Sequence, residues 1–273
     1  MNTPTIVLTI AGSDSSGGAG IQADIKAISA LGSYACSVIT SVTAQNTLGV
    51  QGIHPIPTDM VRQQIESVMD DLHPEAIKIG MVCDKDIALT IAACIRKYQP
   101  RWVVYDPVMV STSGHKLMTD DTIEVIKQEL IPLATLVTPN LHEARILETL
   151  TEICEDKNQI REGEIKKRAD VLGKIYKRSF LVKGGHSDEE EMCDVLYDAK
   201  EDRCSVFRAP KIESKNLHGT GCTLSSSICS NLAKGMDIID AVRCAKEYVY
   251  GAIKDGMDIG KGNGPLNHMY QYV

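Results

Sequence analysis

The chain has 273 residues, 43% of them hydrophobic, 24% charged and only 4% aromatic, with a net charge of -7. That is ordinary globular composition with an aliphatic core, and a mildly acidic chain lacks the basic face that nucleic acid or an anionic membrane requires. The nine cysteines are odd in number, scattered, and form no C-x-x-C pair, which argues against zinc and a disulfide framework and for reduced thiols in the cytoplasm. Residues Met1 to Thr5 carry no signal-peptide pattern, and no run of 18 apolar residues occurs, so no membrane span is expected.

Thr5–Ala11 (TIVLTIA) is apolar and β-branched and predicts a buried strand. A Gly- and Ser-rich loop, Gly12–Gly20, follows it. Ile21, Ile25, Ile28 and Leu31 then recur at helical spacing. Strands are expected at Tyr34–Val42, Ala76–Ile79, Trp102–Tyr105 and Thr135–Val137, alternating with helices at Met60–Leu72, Ile87–Tyr98 and Asp121–Leu130. Cys154–Gly163 reads as a loop insertion and Arg161–Lys177 as a charged surface helix. Phe180–Lys183 is a strand, Asp194–Tyr197 and Ser205–Arg208 are two β runs that could pair antiparallel, and helices near Gly221–Lys234 and Ile238–Lys254 close the chain. Alternating strands and helices predict a mostly parallel sheet with helices on both faces, a three-layer α/β/α fold in one domain over residues 1–273.

Six segments have the residue types that binding or catalysis needs. Gly18-Ala-Gly20-Ile-Gln-Ala23 fits G-x-G-x-x-A, but the loop before it is too long for a dinucleotide turn. Ala44-Gln45-Asn46 stands where the ribose-binding acid is expected. What remains is a loop whose backbone can approach a ligand closely, beginning at Gly12. His218-Gly-Thr-Gly-Cys-Thr223 opens a helix, where first-turn N–H groups and the helix dipole favour an anion; Cys222 falls in that turn, which ordinarily lowers a thiol pKa. No G-x-x-x-x-G-K-[ST] is present, which excludes a P-loop.

Lys183, in FLVKGGH, ends a strand at the binding edge of a parallel sheet and can meet phosphates. Asn140 and Glu143, in TPNLHEA, have the spacing of a capping box, which is the plain reading; the functional one is that they hold water ligands of Mg²⁺ near phosphates. Asp106-Pro-Val-Met109 lies at a further strand end. Gln45 at another could make paired hydrogen bonds to an aminopyrimidine edge. His54, His73, His115, His142 and His268 are expected at the surface or as caps.

Taken in order, LTIAGSDSSGGAGIQADIKAISALG, SVITSVTAQNTLGVQ, KIGM, DPVMVSTSG, TPNLHEA, VKGGH and HGTGCTLSSSI resemble the hydroxymethylpyrimidine and phosphomethylpyrimidine kinases of thiamine biosynthesis, within the ribokinase-like superfamily. The resemblance runs from about Leu8 to Met257 and departs mainly between Thr149 and Ser179. It implies two ATP-dependent phosphorylations, first of 4-amino-5-hydroxymethyl-2-methylpyrimidine and then of its monophosphate. Carried onto this chain, Gly219, Thr220, Gly221 and Cys222 form the anion hole, and Lys183 neutralises the ATP phosphates. Asn140 and Glu143 position Mg²⁺ through water, Gln45 and Asp24 contact the pyrimidine, and Met81 and Val108 are its apolar walls. Cys222 stands where most of the superfamily has an aspartate base. Related kinases are often dimers. A pyridoxal kinase of the same fold, a non-catalytic pyrimidine-binding protein and an NAD-dependent oxidoreductase are the competing readings.

Overall fold

A computed structural model describes residues 4–109, 117–148, 162–184 and 191–272. The expected loop Cys154–Gly163 lies outside them but for its last two residues, as do His115, Gly185-His186 and the VSTSG end of the fourth motif.

The β-branched run at the start becomes β1 (Ile6–Asp14), longer than the sequence suggests. It passes through Gly12 because a register shift between Ala11 and Ser13 lets Ser13 and Asp14 go on pairing with the next strand. Helix α1 (Gly20–Ala30) buries Ile21, Ala23, Asp24, Ala27, Ile28 and Ala30. Strand β2 (Tyr34–Asn46) then turns back into β3 (Gly49–Pro55). That hairpin was not expected: the β3 sequence GVQGIHP has no buried position and so no apolar alternation to reveal it.

Regular α/β alternation follows through α2 (Thr58–Asp71), β4 (Ala76–Ile79), α3 (Lys85–Tyr98) and β5 (Trp102–Tyr105). Asp84 caps α3 by accepting from the Asp86 and Ile87 amides at 2.8 and 3.3 Å. The expected helix Asp121–Leu130 is α4 (Asp120–Val125) continued by a π turn, Ile126–Leu130, and a 3₁₀ turn, Ile131–Leu133. Pro132 supplies no N–H, so the helix cannot run on regularly there. The remaining elements are β6 (Leu136–Val137), α5 (Leu141–Leu147), α6 (Glu162–Tyr176), β7 (Ser179–Lys183), β8 (Glu191–Asp198), β9 (Arg203–Pro210), α7 (Thr220–Ala233) and α8 (Ile238–Lys254).

The nine strands form one sheet in the order β3-β2-β1-β4-β5-β6-β7-β8-β9. Pairing is parallel from β2 to β7, and antiparallel at β2·β3, β7·β8 and β8·β9. One core cluster gathers α2, α3, α4, α5 and α6 on one face; a second gathers α1, α7 and α8 on the other. The result is the expected three-layer α/β/α, mostly parallel ribokinase-like architecture. Among the described residues no helix is long and apolar enough to cross a membrane, and no disulfide forms.

The helical layer containing α1 and α7 meets the sheet through buried charge. Lys78 on β4 donates to both oxygens of Asp24 on α1, at 2.9 and 2.8 Å. Thr9 on β1 and Ser226 on α7 each donate to the same carboxylate at 2.6 Å. Lys78 and Asp24 are both 0% exposed. The expectation that Asp24 contacts a substrate ring is corrected here: its oxygens already accept four hydrogen bonds inside the protein. His268, expected at the surface, is 3% exposed, 2.9 Å from Thr223 Oγ1, and burial lowers its pKa to about 4.

Removing one partner of a buried pair strands the other charge, so Asp24→Asn should lower unfolding stability by about 3–5 kcal/mol in urea titrations. A raised substrate KM with stability unchanged would instead restore Asp24 as a substrate contact.

Candidate active site

In a parallel sheet the strand C-termini end at one edge, and helix N-termini point back toward it. That edge gathers Asp14 from β1, Gln45 from β2, Met81 just past β4, Asp106 just past β5, Asn140 just past β6 and Lys183 from β7. The N-terminus of α7 completes it.

The turn before α7 is shaped by close backbone approach. Gly219 caps the helix at φ +85°, a conformation that favours glycine, and a Cβ there would lie 1.9 Å from the Gly18 carbonyl oxygen. His218 packs from the same side, where a Cβ on Gly18 would lie 2.3 Å from the imidazole Cδ2. The Gly-rich loop after β1 and the turn before α7 are therefore in contact. The Asp14 carboxylate fastens them. It accepts from the Gly18 and Ala19 amides at 3.1 and 2.8 Å, from the Ser16 amide at 2.8 Å, and lies 2.9 Å from His218 Nε2. Burial opposes its charge, but the hydrogen bonds from His218, Ser16 and Ala19 outweigh burial and hold its pKa near 2.

Beside this junction is a second group of polar side chains. Lys183 Nζ donates to Asp106 Oδ1 at 2.8 Å, and Thr138 Oγ1 donates to the same oxygen at 3.1 Å. A Cβ on Gly221 would stand 3.3 Å from Lys183 Nζ and 3.4 Å from Asp106 Oδ2, so this pair faces the first turn of α7 directly. First-turn N–H groups have no acceptor within their own helix. A cation, a carboxylate and the N-terminal turn of a helix thus meet in one place.

Asn140 and Glu143 form the capping box that their spacing suggests. Asn140 Oδ1 accepts from the Glu143 amide at 2.9 Å, and Glu143 Oε2 accepts from the Asn140 amide at 2.7 Å. Glu143 Oε1 also accepts from the Met109 amide at 3.3 Å. Burial raises the Glu143 pKa to about 7, against the favourable charge of Lys183 and with the unfavourable charge of Asp106.

Cys222 corrects an expectation. A helix N-terminus ordinarily favours thiolate, but here burial dominates and pushes the thiol up to about 11, even with the Lys78 charge opposing it. At neutral pH a thiol so placed is mainly protonated. The remaining predicted residues lie at the same sheet edge. Gly12 lies against Met81, where a Cβ would come within 2.6 Å of Met81 Cε. Val108 is half-buried beside Asp106, and Thr220 is half-buried with its hydroxyl donating to Leu217 O at 2.8 Å.

The structure therefore brings Gly12, Gln45, Met81, Val108, Asn140, Glu143, Lys183 and Gly219–Cys222 to one sheet edge and withdraws Asp24 from it. Sequence reasoning assigned no role to Asp14, Asp106 or His218. Asp106 had the right signal, a carboxylate at a strand end. The partnership of Asp14 with a histidine 204 positions away had none.

A family model described as phosphomethylpyrimidine kinase matches residues 14–267. A hydroxymethylpyrimidine/phosphomethylpyrimidine kinase of Rhizobium meliloti is 45% identical over 269 residues, covering 98% of each chain. The crystal structure of a phosphomethylpyrimidine kinase from Clostridium difficile is 41% identical, covers 91% of this chain and 99% of its own, and superimposes with a TM-score of 0.78. A Bacillus subtilis pyridoxal kinase in an ADP complex superimposes with a TM-score of 0.88 at 33% identity, over 98% of this chain and 99% of its own. With the family motifs collected at one sheet edge and this likeness running along nearly the whole chain, the chain belongs to the phosphomethylpyrimidine kinase family.

Proposed function

We propose that the chain transfers the γ-phosphoryl group of ATP to the hydroxymethyl group of 4-amino-5-hydroxymethyl-2-methylpyrimidine, and then phosphorylates the monophosphate, for thiamine biosynthesis. The observation that carries this reading is the meeting of Lys183, Asp106 and the α7 first turn beside Gln45. Phosphoryl transfer asks a protein mainly for alignment and for charge stabilisation. The Gly219–Cys222 amides provide donors for the transferring group, and Lys183 a cation for the nucleotide phosphates. Gln45 meets the pyrimidine edge, Met81 and Val108 flank the ring, and the bare backbone at Gly12 lets it approach.

The substrate hydroxyl oxygen bonds to γ-phosphorus as the bond to the ADP oxygen breaks. A thiol held near 11 does not take the hydroxyl proton at neutral pH. A loose transition state removes the need, because that proton leaves late, to phosphate oxygen or water.

The residues fit Mg²⁺. Asp106 and Glu143 are hard oxygen donors, and the buried Glu143 carboxylate lacks a full counter-charge. They, with Asn140 and Thr220, would hold the ion through water, and when bound it would supply positive charge against the nucleotide phosphates. We read the chain as one folding unit of a reducing cytoplasm, a reading supported by its scattered, odd-numbered cysteines. It pairs as a homodimer, a reading supported by exposed Leu48 and Ile259, whose loops are joined by the Asn263 amide donating to Thr47 O at 3.0 Å. Sedimentation of a monomer at micromolar concentration would dispose of the dimer.

Incubation with ATP, Mg²⁺ and hydroxymethylpyrimidine should give the monophosphate and then the diphosphate by mass spectrometry, with pyridoxal slower in parallel. Faster turnover of pyridoxal would overturn the substrate assignment.

Glu143→Gln tests the metal site, since glutamine keeps the capping box without the charge. A carboxyl group whose pKa rises from 4.5 to about 7 on folding binds its proton more tightly when native. Its contribution to stability therefore falls as pH rises through that window. The wild type should lose thermal stability relative to Glu143→Gln between those pH values. The variant should also lose about tenfold or more in kcat/KM for Mg-ATP. Parallel melting profiles would refute the raised pKa, and unchanged kinetics would remove Glu143 from the metal site.

A further inference from the structure

The turn that carries Gln45 has little core beneath it. None of residues 45–49 is buried, and neither is any residue of β3. Apolar packing therefore does not fix where Gln45 stands relative to the first turn of α7, and hydrogen bonds have to. One anchor is Ser15. Its hydroxyl accepts from the Gln45 amide at 2.9 Å and donates to the Gln45 carbonyl at 2.7 Å.

The other anchor comes from the far end of the chain. Beyond α8, residues 256–268 run as a strap without helix or strand. The strap docks on Thr47, two residues past Gln45. The Lys261 and Gly262 amides each donate to Thr47 Oγ1 at 3.2 Å, and the Asn263 amide donates to Thr47 O at 3.0 Å. The approach leaves no room for side chains: a Cβ on Gly260 would stand 2.4 Å from Thr47 Oγ1, and one on Gly262 2.1 Å from Thr47 O. The same strap then crosses to the turn before α7. The Gly264 amide donates to Lys215 O at 2.9 Å, and the Gly264 carbonyl accepts from the His218 amide at 3.1 Å. Four residues on, His268 Nε2 lies 2.9 Å from Thr223 Oγ1 in the first turn of α7, and both residues are buried. Tyr248 on α8 holds this end by donating to His268 O at 2.7 Å.

We propose that Thr47 is a positioning residue: it fastens the turn carrying Gln45 to the strap, and the strap keeps that turn aligned with the anion-binding turn of α7. This rests on Gln45 meeting the ring and on the α7 turn meeting the transferring group. Thr47 acts without touching either reactant. Its contribution is alignment, since the attacking oxygen has to come within about 3–3.5 Å of phosphorus, and a misplacement of about 1 Å can cost ~10²-fold in rate. A loosened turn still binds the ring, and the phosphate side still binds nucleotide. The loss therefore falls on kcat and not on either KM.

The test is steady-state kinetics of the full chain with hydroxymethylpyrimidine and Mg-ATP. Thr47→Val keeps the shape but deletes the hydroxyl that accepts from Lys261 and Gly262; Thr47→Ser keeps the hydroxyl. Thr47→Val should lower kcat about tenfold, with KM for each substrate within about twofold, and Thr47→Ser should stay close to the wild type. Gly262→Ala forces the same contact apart from the strap's side, so it should cost little more once Thr47→Val is present. An unchanged kcat in Thr47→Val, a rise confined to one KM, or losses that multiply in the double variant would overturn the strap's role. Sedimentation of Thr47→Val should match the wild type; a changed assembly state would assign the loss to a subunit contact and overturn it equally. If the wild type phosphorylates no pyrimidine, the functional reading fails and this role falls with it. Should Gly262→Ala not fold, Thr47→Val and Thr47→Ser decide alone.

Discussion

Lys78 and Asp24 carry opposite charges with no access to water, at the place where β1, β4, α1 and α7 converge. Two ions in such surroundings are tolerated only when every charge and lone pair is answered, and a mispacked neighbour strands one of them. The requirement reaches into geometry. Ser226 must come from α7 at a fixed rotation about its axis, one turn below Cys222, and Thr9 must point from β1 at a fixed register. The direction in which α7 presents its first turn to the cleft is set by contacts that no ligand touches.

From that anchor the sheet edge is assembled by backbone as much as by side chains. The loop after β1 and the turn before α7 approach so closely that glycine is needed at both Gly18 and Gly219. Asp14 binds the amides of one and the imidazole of the other. The Gly-rich loop and the start of α7 are therefore tied into one junction. Alignment of two reactants within a fraction of an ångström is what such a junction can supply, and it is the larger part of what phosphoryl transfer demands.

The sequence disclosed whatever depended on local pattern. Ala76–Ile79, Trp102–Tyr105 and Ile238–Lys254 were read with their observed bounds, because each is an apolar run or helical period between clear breaks. The capping box at Asn140 and Glu143 was legible for the same reason: its partners are three residues apart. What depended on distant partners was not legible. Asp24 stands in a helix whose sequence gives no sign of a lysine 54 positions on. His268 shows nothing of the pocket around Thr223. Cys222 shows the limit of a one-factor rule, since a helix N-terminus and burial push a thiol in opposite directions, and only packing reveals which wins.

Substrate choice is a separate matter from architecture. This chain superimposes better on a pyridoxal kinase than on a phosphomethylpyrimidine kinase to which it is more similar in sequence. Overall backbone similarity therefore carries no information about which ring is bound. Both rings are flat, similar in size and bear a hydroxymethyl group, so apolar walls separate them weakly; a missing methylene in a pocket is worth only about 1–3 kcal/mol. The discriminating power has to come from a polar group whose donor and acceptor are held in one order. An amide free to flip would offer either order at little cost and would accept both rings. Specificity on this fold therefore has to be sought in the polar groups at the sheet edge rather than in the backbone frame.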